Sequence, residues 1–215
     1  MFLLLAVRLT TEGLAIRHLA TDVCTAVVVL AGVSAACTRK HSRVMALILG
    51  TPVLLLTVWA QFETPGVSHQ TFVLMRALMT MFLGFTTVTI LQDLIDQRKI
   101  TRDTLVGAFC GYVLIGATWT EMYCWIDLVA PNSFSIAATE PPGPEIDIRW
   151  NQLLYFSFVT LSTVGYGDVT PASPLTRMLA CLEAICGQFY LAVLVAGLVS
   201  IRVAQLSAMK PPDSE

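Results

Sequence analysis

The sequence predicts an all-α membrane protein with about five to six transmembrane helices and a re-entrant pore helix between the last two. Of the 215 residues, 55% are hydrophobic and 13% are charged, against about 45–50% and about 25% in soluble domains. Long apolar segments alternate with short polar ones, and one apolar segment is too short to cross a bilayer. This composition excludes a soluble enzyme and a disordered chain, and a net charge of -2 offers no basic surface for nucleic acid.

Residues 1–18 are predicted to be a short N-terminal span or an interfacial helix. The first seven residues are apolar, but Arg8 and Glu12 interrupt the pattern early. A secretory signal peptide would place positive charge before its apolar region and small residues at a cleavage site. Since the segment shows neither clearly, we expect a short span, and an interfacial helix is the alternative.

Residues 19–97 are predicted to form a three-helix transmembrane region. Its apolar stretches cover residues 19–37, 44–62 and 71–91. Pro52 lies inside the second stretch, and a membrane helix tolerates proline when neighbours bond the freed carbonyl. A voltage sensor would carry arginine at every third position of one span. The third stretch has only Arg76, so the region does not have the pattern of a voltage sensor.

Basic residues predict the orientation of these helices. Three follow the first stretch and three follow the third, whereas residues 63–70 contain no lysine or arginine. Because positive loops stay on the cytoplasmic side, we expect both basic loops and the C-terminus to be cytoplasmic.

Residues 98–205 are predicted to be a pore domain, followed by a cytoplasmic tail at 206–215. Its predicted parts are an outer helix at 104–126, an extracellular loop at 127–149, a pore helix at 150–162 and an inner helix at 175–203. The pore helix is too short to span the bilayer. A re-entrant helix is tolerated only where it is buried in protein or lines a water-filled cavity, so the order of elements itself indicates a pore.

The segment after the pore helix, residues 160–168, has the sequence TLSTVGYGD. It resembles the TxxTxGYGD signature of tetrameric potassium channels at every specified position. The detailed resemblance covers residues 104–203. The rest of the chain resembles, less specifically, the helical region that precedes the pore in small prokaryotic channels. The resemblance therefore implies an integral protein of a prokaryotic plasma (inner) membrane.

This resemblance implies that residues 163–167 are a selectivity filter. Potassium filters replace the hydration shell of the ion with backbone carbonyls from four loops. The carbonyls expected to bind K+ belong to Thr163, Val164, Gly165 and Tyr166. Alternate residues must adopt left-handed backbone angles, and Gly165 and Gly167 do so freely.

The same resemblance implies supporting roles for Thr160, Ser162, Asp168 and Tyr155. In this family the aspartate after the filter commonly accepts a hydrogen bond from an aromatic donor on the pore helix. Tyr155 stands where many relatives have tryptophan, and its hydroxyl is the expected donor. The Tyr166 ring is expected to pack behind the filter, and the Thr163 hydroxyl to close its inner end.

Two carboxylates and one glycine in the predicted spans are further candidates. Carboxylates within a membrane are costly and normally have a partner or face water. We therefore expect Glu121 and Glu183 to brace the pore helix by hydrogen bonding, and direct gating or ion contact by Glu183 is the alternative. Gly187 lies 20 residues after Gly167, at the place of a hinge in many relatives. Close helix packing by a small residue is an equally good interpretation.

The sequence thus predicts a potassium-selective channel that conducts K+ passively. A single filter motif per chain requires a homotetramer, whose other partners are membrane lipids and not nucleic acid. We expect no cofactor apart from the transported K+, and no enzymatic activity, because the two carboxylates lack a nearby histidine pair. The alternatives are a subunit of a potassium transporter and a non-voltage-gated cation channel of lower selectivity.

Overall fold

A computed structural model describes residues 40–60, 69–95, 102–136 and 145–208. These residues are mostly helical. The elements in chain order are α1 Lys40–Ala60, α2 His69–Ile95, α3 Arg102–Val129, β1 Phe134–Ile136, α4 Glu145–Leu161, β2 Val169–Pro171 and α5 Pro174–Ala208. The predicted N-terminal element at 1–18 and the predicted span at 19–37 lie outside the described residues.

Two of the described helices are long and apolar enough to cross a membrane. They are residues His69–Leu94 of α2 and Pro174–Gly197 of α5. A shorter apolar segment, Val44–Leu56, lies in α1, and α3 has the length of a span with 28 residues. The described residues therefore agree with a helical membrane protein, and the number of spans stays a prediction.

The boundaries differ from the prediction on both sides of the pore helix. α3 continues to Val129, and α4 begins at Glu145 and ends at Leu161. The predicted loop at 127–149 therefore contains the end of one helix and the start of the next. The predicted boundaries were set where the apolar residues end, but the outer turns of a helix also accept polar residues. Arg149, inside α4, bonds both carboxylate oxygens of Asp127 near the end of α3.

A short β-sheet corrects the all-α prediction. β1 and β2 pair antiparallel in the register Phe134↔Pro171, Ser135↔Thr170 and Ile136↔Val169. Each strand has three residues, which is too short for an alternating pattern to be recognised in the sequence. The sheet joins the segment after α3 to the segment directly after the predicted filter.

The last helix, α5, begins with a reciprocal cap and runs beyond the predicted inner helix at both ends. The Thr176 amide donates to Ser173 Oγ over 3.2 Å, and the Ser173 amide donates to Thr176 Oγ1 over 3.2 Å. Such bonds satisfy amides that have no partner at a helix start. Because α5 continues to Ala208, the predicted tail at 206–215 begins inside the helix.

The core around α4 holds that helix against α3 and the sheet. Tyr123, Phe134 and Phe156 meet pairwise edge to face, with ring centroids 5.3–5.4 Å apart. This is a favoured aromatic geometry, worth about 0.5–1.5 kcal/mol per pair beyond area burial. Trp150 and Leu153 of α4 are buried in the same cluster. The packing directs the C-terminal end of α4 towards α5.

Candidate ion-conducting site

The chain leaves α4 at Leu161 through hydrogen bonds that turn back onto the helix end. The Thr163 amide donates to the Thr160 carbonyl over 2.9 Å, and the Val164 amide donates to the Val159 carbonyl over 2.9 Å. The Ser162 hydroxyl donates to the Phe158 carbonyl over 2.6 Å. The predicted supporting residues Thr160 and Ser162 therefore lie at the helix end from which the predicted filter starts.

The backbone of residues 163–167 alternates in handedness. Thr163, Gly165 and Gly167 have φ angles of 59°, 58° and 83°, whereas Val164 and Tyr166 are outside the positive-φ region. Such alternation turns successive carbonyls towards one side of the segment. A Cβ placed on Gly165 or Gly167 meets nothing within 4 Å. The backbone angle, and not lack of space, therefore requires glycine at these positions.

Thr163 adopts the left-handed conformation without being glycine. For a β-branched residue such a φ is an outlier, costing on the order of 1–3 kcal/mol. The sequence motif predicted the left-handed glycines but gave no indication of this angle. Strained conformations of this kind persist only where contacts with the surrounding structure stabilise them. Thr163 must therefore have such contacts.

The Thr163 side chain is bonded by a residue of α5 that sequence reasoning missed. Gln188 Nε2 donates to Thr163 Oγ1 over 3.1 Å. The sequence signal is a polar amide within the apolar stretch 184–199, directly after Gly187. The predicted inner end of the filter is thus tied to the predicted inner helix.

Gly187 lets α5 approach the end of α4 closely. A Cβ at this position would lie 2.1 Å from the carbonyl oxygen of Leu161 and 3.0 Å from its carbonyl carbon. Only glycine fits there without moving one backbone away from the other. The structure thus shows the close packing that was one of the two interpretations of Gly187, and its role as a hinge stays a prediction.

Behind the filter segment, Tyr166 lies beside the pore helix. Its ring is stacked on that of Tyr155, with centroids 6.4 Å apart and an interplanar angle of 5°. Asp168 Oδ1 accepts a hydrogen bond from the Val169 amide over 3.1 Å. Side-chain hydrogen bonding with Asp168, more than desolvation or charge, raises the pKa of the Tyr155 hydroxyl. The hydrogen bond between these two side chains stays a prediction.

Glu183 joins three helices from a fully buried position. The Tyr123 hydroxyl on α3 donates to Glu183 Oε2 over 2.8 Å, and Ser157 Oγ on α4 lies 2.5 Å from Glu183 Oε1. The side chain has no exposed surface. Its two oxygens thus link the middle of α4 to α3 and α5, and the role of Glu183 as a brace stays a prediction.

Glu121 makes the corresponding link at the start of α4. Its Oε1 accepts from Trp150 Nε1 over 2.9 Å, and its Oε2 accepts from Arg76 Nη1 over 2.6 Å. All three residues are buried. The two predicted brace carboxylates therefore contact α4 at different positions, Glu121 near its start and Glu183 in its middle. Arg76 links α2 to this network, a contact that the sequence did not predict.

Comparison with known proteins assigns the region that contains this site. Residues 104–203 match a family model described as ion channel. The two pore potassium channel c of Oryza sativa subsp. japonica is 37% identical over 70 residues. The inward rectifier potassium channel Kirbac3.1 of Paramagnetospirillum magnetotacticum is 43% identical over 54 residues.

Residues 104–203 are therefore similar to ion channels, and the relatives that match them are potassium channels.

The aligned parts of these potassium channels are short. The match to the rice channel covers 33% of this chain and 14% of the relative, and that to Kirbac3.1 covers 25% and 18%. Two-pore potassium channel 2 of Arabidopsis thaliana is 38% identical over 105 residues, which is 49% of this chain and 21% of that channel. The chain thus matches only about a fifth or less of the length of these relatives. No solved structure matches it.

The region shared with the ion channel family contains every site residue that the sequence predicted. It begins within α3 and ends within α5, so it includes the filter segment and both brace carboxylates. Arg76 lies outside it, on α2. Through this residue α2, which precedes the matched region, contacts the site directly.

Proposed function

We propose that this chain is one subunit of a homotetrameric, potassium-selective channel that conducts K+ passively. The alternating backbone of residues 163–167 carries the proposal, because it directs a row of carbonyl oxygens to one side. A bare K+ ion needs such oxygens in place of water, and potassium filters supply them from four identical loops. The expected ligands are the carbonyls of Thr163, Val164, Gly165 and Tyr166.

The exposure of this segment in a single chain supports assembly. Val164 and Tyr166 expose 52% and 72% of their surface. Exposed large apolar side chains also continue along α5, among them Met178, Ile185 and Phe189. An apolar surface of this extent indicates contact with protein or lipid. One loop cannot surround an ion, whereas four loops around an axis can, with the remaining apolar faces against lipid.

The end of α4 adds an electrostatic contribution. Its last residue, Leu161, directly precedes the filter segment. The C-terminal end of a helix carries roughly half a negative charge, so four such ends near a common axis favour a cation. We propose a prokaryotic inner membrane because the chain resembles small prokaryotic channels, and a cytoplasmic C-terminus because of the basic loops. K+ is the transported ion, and no cofactor is proposed.

The test is K+ flux through purified protein in liposomes under a K+ gradient. We expect a flux that Ba2+ blocks and that Na+ cannot replace. The variant Gly165→Ala should abolish it, because alanine resists the φ of 58° found there. Gly197→Ala is the matched control, since its added Cβ meets nothing within 4 Å and its φ is not left-handed.

Three outcomes would overturn the proposal. Absence of flux from the intact protein would reject a channel altogether. Equal passage of Na+ and K+ would instead indicate a cation channel of lower selectivity. A stable monomer or dimer in detergent, measured by native mass determination, would reject the tetramer.

A further inference from the structure

We infer that Gln188 is a positioning residue for the innermost ion site: its amide holds the Thr163 side chain and thereby sets how tightly that site binds a cation. The inference deepens the proposed function and rests on it. It starts from the bond between Gln188 Nε2 and Thr163 Oγ1, at 3.1 Å.

The backbone of Thr163 needs a partner of this kind. Its φ of 59° is unfavourable for a β-branched side chain. The Thr163 amide is held by the Thr160 carbonyl over 2.9 Å, which constrains one side of the residue. The hydroxyl is held by Gln188. The backbone amide of Thr163 is therefore bonded to α4, and its side-chain hydroxyl is bonded to α5.

Gly187 explains how the Gln188 amide reaches the filter. The missing Cβ lets α5 lie against the Leu161 carbonyl, where a methyl group would be only 2.1 Å away. The next residue along α5 is then beside the end of α4, where Thr163 follows after Ser162. A bulkier residue at 187 would move α5 away and break the hydrogen bond without any change at Gln188.

The hydrogen bond matters for ion binding because Thr163 is expected to provide ligand oxygens. A threonine hydroxyl has two lone pairs and one proton. When Gln188 donates to one lone pair, the side chain keeps one orientation and its oxygen is ordered before an ion arrives. Ordered ligands bind more tightly because less conformational freedom is lost on binding. In a tetramer the effect occurs four times around one ion.

The experiment replaces the amide by an apolar side chain of similar length. We expect Gln188→Leu to weaken block by cytoplasmic Ba2+ about tenfold, as for loss of a hydrogen bond at the site. The tetramer mass and the preference for K+ over Na+ should not change, which separates this role from a general loss of structure. Gln152→Leu removes an amide from α4 and serves as the control with unchanged Ba2+ block.

A double-mutant cycle shows whether Gln188 acts through the Thr163 hydroxyl. In a Thr163→Val background, which lacks the hydroxyl, Gln188→Leu should have no further effect on Ba2+ block. In a Thr163→Ser background, which keeps it, the effect should persist. The serine background also decides the question if the valine variant fails to assemble.

The inference and the proposed function fail in different ways. A wild-type protein that conducts no K+ contradicts the proposed function. A wild-type channel that Ba2+ blocks, with the same block in Gln188→Leu, contradicts only the role of Gln188. Equal effects of Gln188→Leu with and without the Thr163 hydroxyl would contradict it as well.

Discussion

The Arg76 guanidinium donates to the Glu121 carboxylate over 2.6 Å, although Arg76 lies on α2 and outside the region that matches the ion channel family. Glu121 in turn accepts from Trp150 on the pore helix. Arg76 on α2 is thus linked to α4 through a single intervening side chain, that of Glu121. α2 is therefore structurally coupled to the site.

Arg76→Met should destabilise the assembled protein strongly. It breaks the ion pair of the buried Glu121 carboxylate, and removing one partner of a buried ion pair typically costs about 3–5 kcal/mol. The measurement is thermal unfolding of the detergent-solubilised protein by intrinsic fluorescence. Arg177→Met is the control, because Arg177 is exposed and bonds only the Pro171 carbonyl.

The paired variant Arg76→Met with Glu121→Gln should recover most of the lost stability. It removes the carboxylate charge together with the guanidinium and leaves an amide that can still accept from Trp150. A double variant as unstable as Arg76→Met alone would mean that the ion pair is not the cause.

Glu183 should tolerate replacement by glutamine but not by alanine. Ser157 Oγ lies within hydrogen-bond distance of both the Gly116 carbonyl, at 2.9 Å, and Glu183 Oε1, at 2.5 Å. A hydroxyl has one proton, so the two contacts together need a second one, and a protonated Glu183 supplies it. Glutamine also has a donor and an acceptor, whereas alanine removes the partner of the buried Tyr123 hydroxyl, at about 1–3 kcal/mol, and one of the two partners of Ser157.

The measurements for Glu183 are thermal unfolding and infrared spectroscopy. The wild type should show the carbonyl band of a protonated carboxylic acid, and Glu183→Gln should lack it. Equal losses of stability in the glutamine and alanine variants would contradict the protonated carboxyl.

Gly187→Ala should disrupt the contact between α5 and α4. The new methyl group would overlap the Leu161 carbonyl, and overpacking of this kind costs typically about 1–3 kcal/mol and occasionally more. We expect a lower unfolding temperature together with reduced K+ flux, whereas Gly197→Ala should show neither. If Gly187 served only as a hinge, the alanine variant would change open probability without a loss of stability.

Tyr155→Phe should change filter behaviour at neutral pH, and strongly alkaline solution should do the same to the wild type. The raised pKa of the Tyr155 hydroxyl comes first from its hydrogen bond with Asp168. Folding therefore favours the protonated phenol. The stabilisation of the folded protein by this phenol is complete below the ordinary tyrosine pKa of about 10. It is lost as the pH rises through the higher pKa of Tyr155 in the folded protein. Single-channel open probability against pH is the measurement, and identical profiles for wild type and Tyr155→Phe would contradict the pairing.

Local sequence predicted the backbone of residues 163–167 because the motif is contiguous. Residues 160–168 contain the whole motif, and Gly165 and Gly167 adopt the expected left-handed angles. The φ of Thr163 was not predictable, because it depends on contacts from two helices and not on the preference of threonine.

For contacts between residues distant in sequence, the sequence predicted that a bond exists but not which residue is the partner. A carboxylate within a membrane needs a partner, which indicated that Glu121 and Glu183 are bonded. Which partners they have depends on how each helix is rotated against its neighbours. Arg76 is 45 residues away from Glu121, and Tyr123 is 60 residues away from Glu183. The three-residue strands were missed because they are shorter than any periodic signal.

The β1–β2 ladder closes the chain on itself around the pore helix. Phe134 pairs with Pro171, so the two ends of the segment that contains α4 and the filter are held side by side. A displacement of α3 relative to α5 therefore acts on this ladder as well as on α4 and residues 163–167, so the ladder limits how far the two ends can separate.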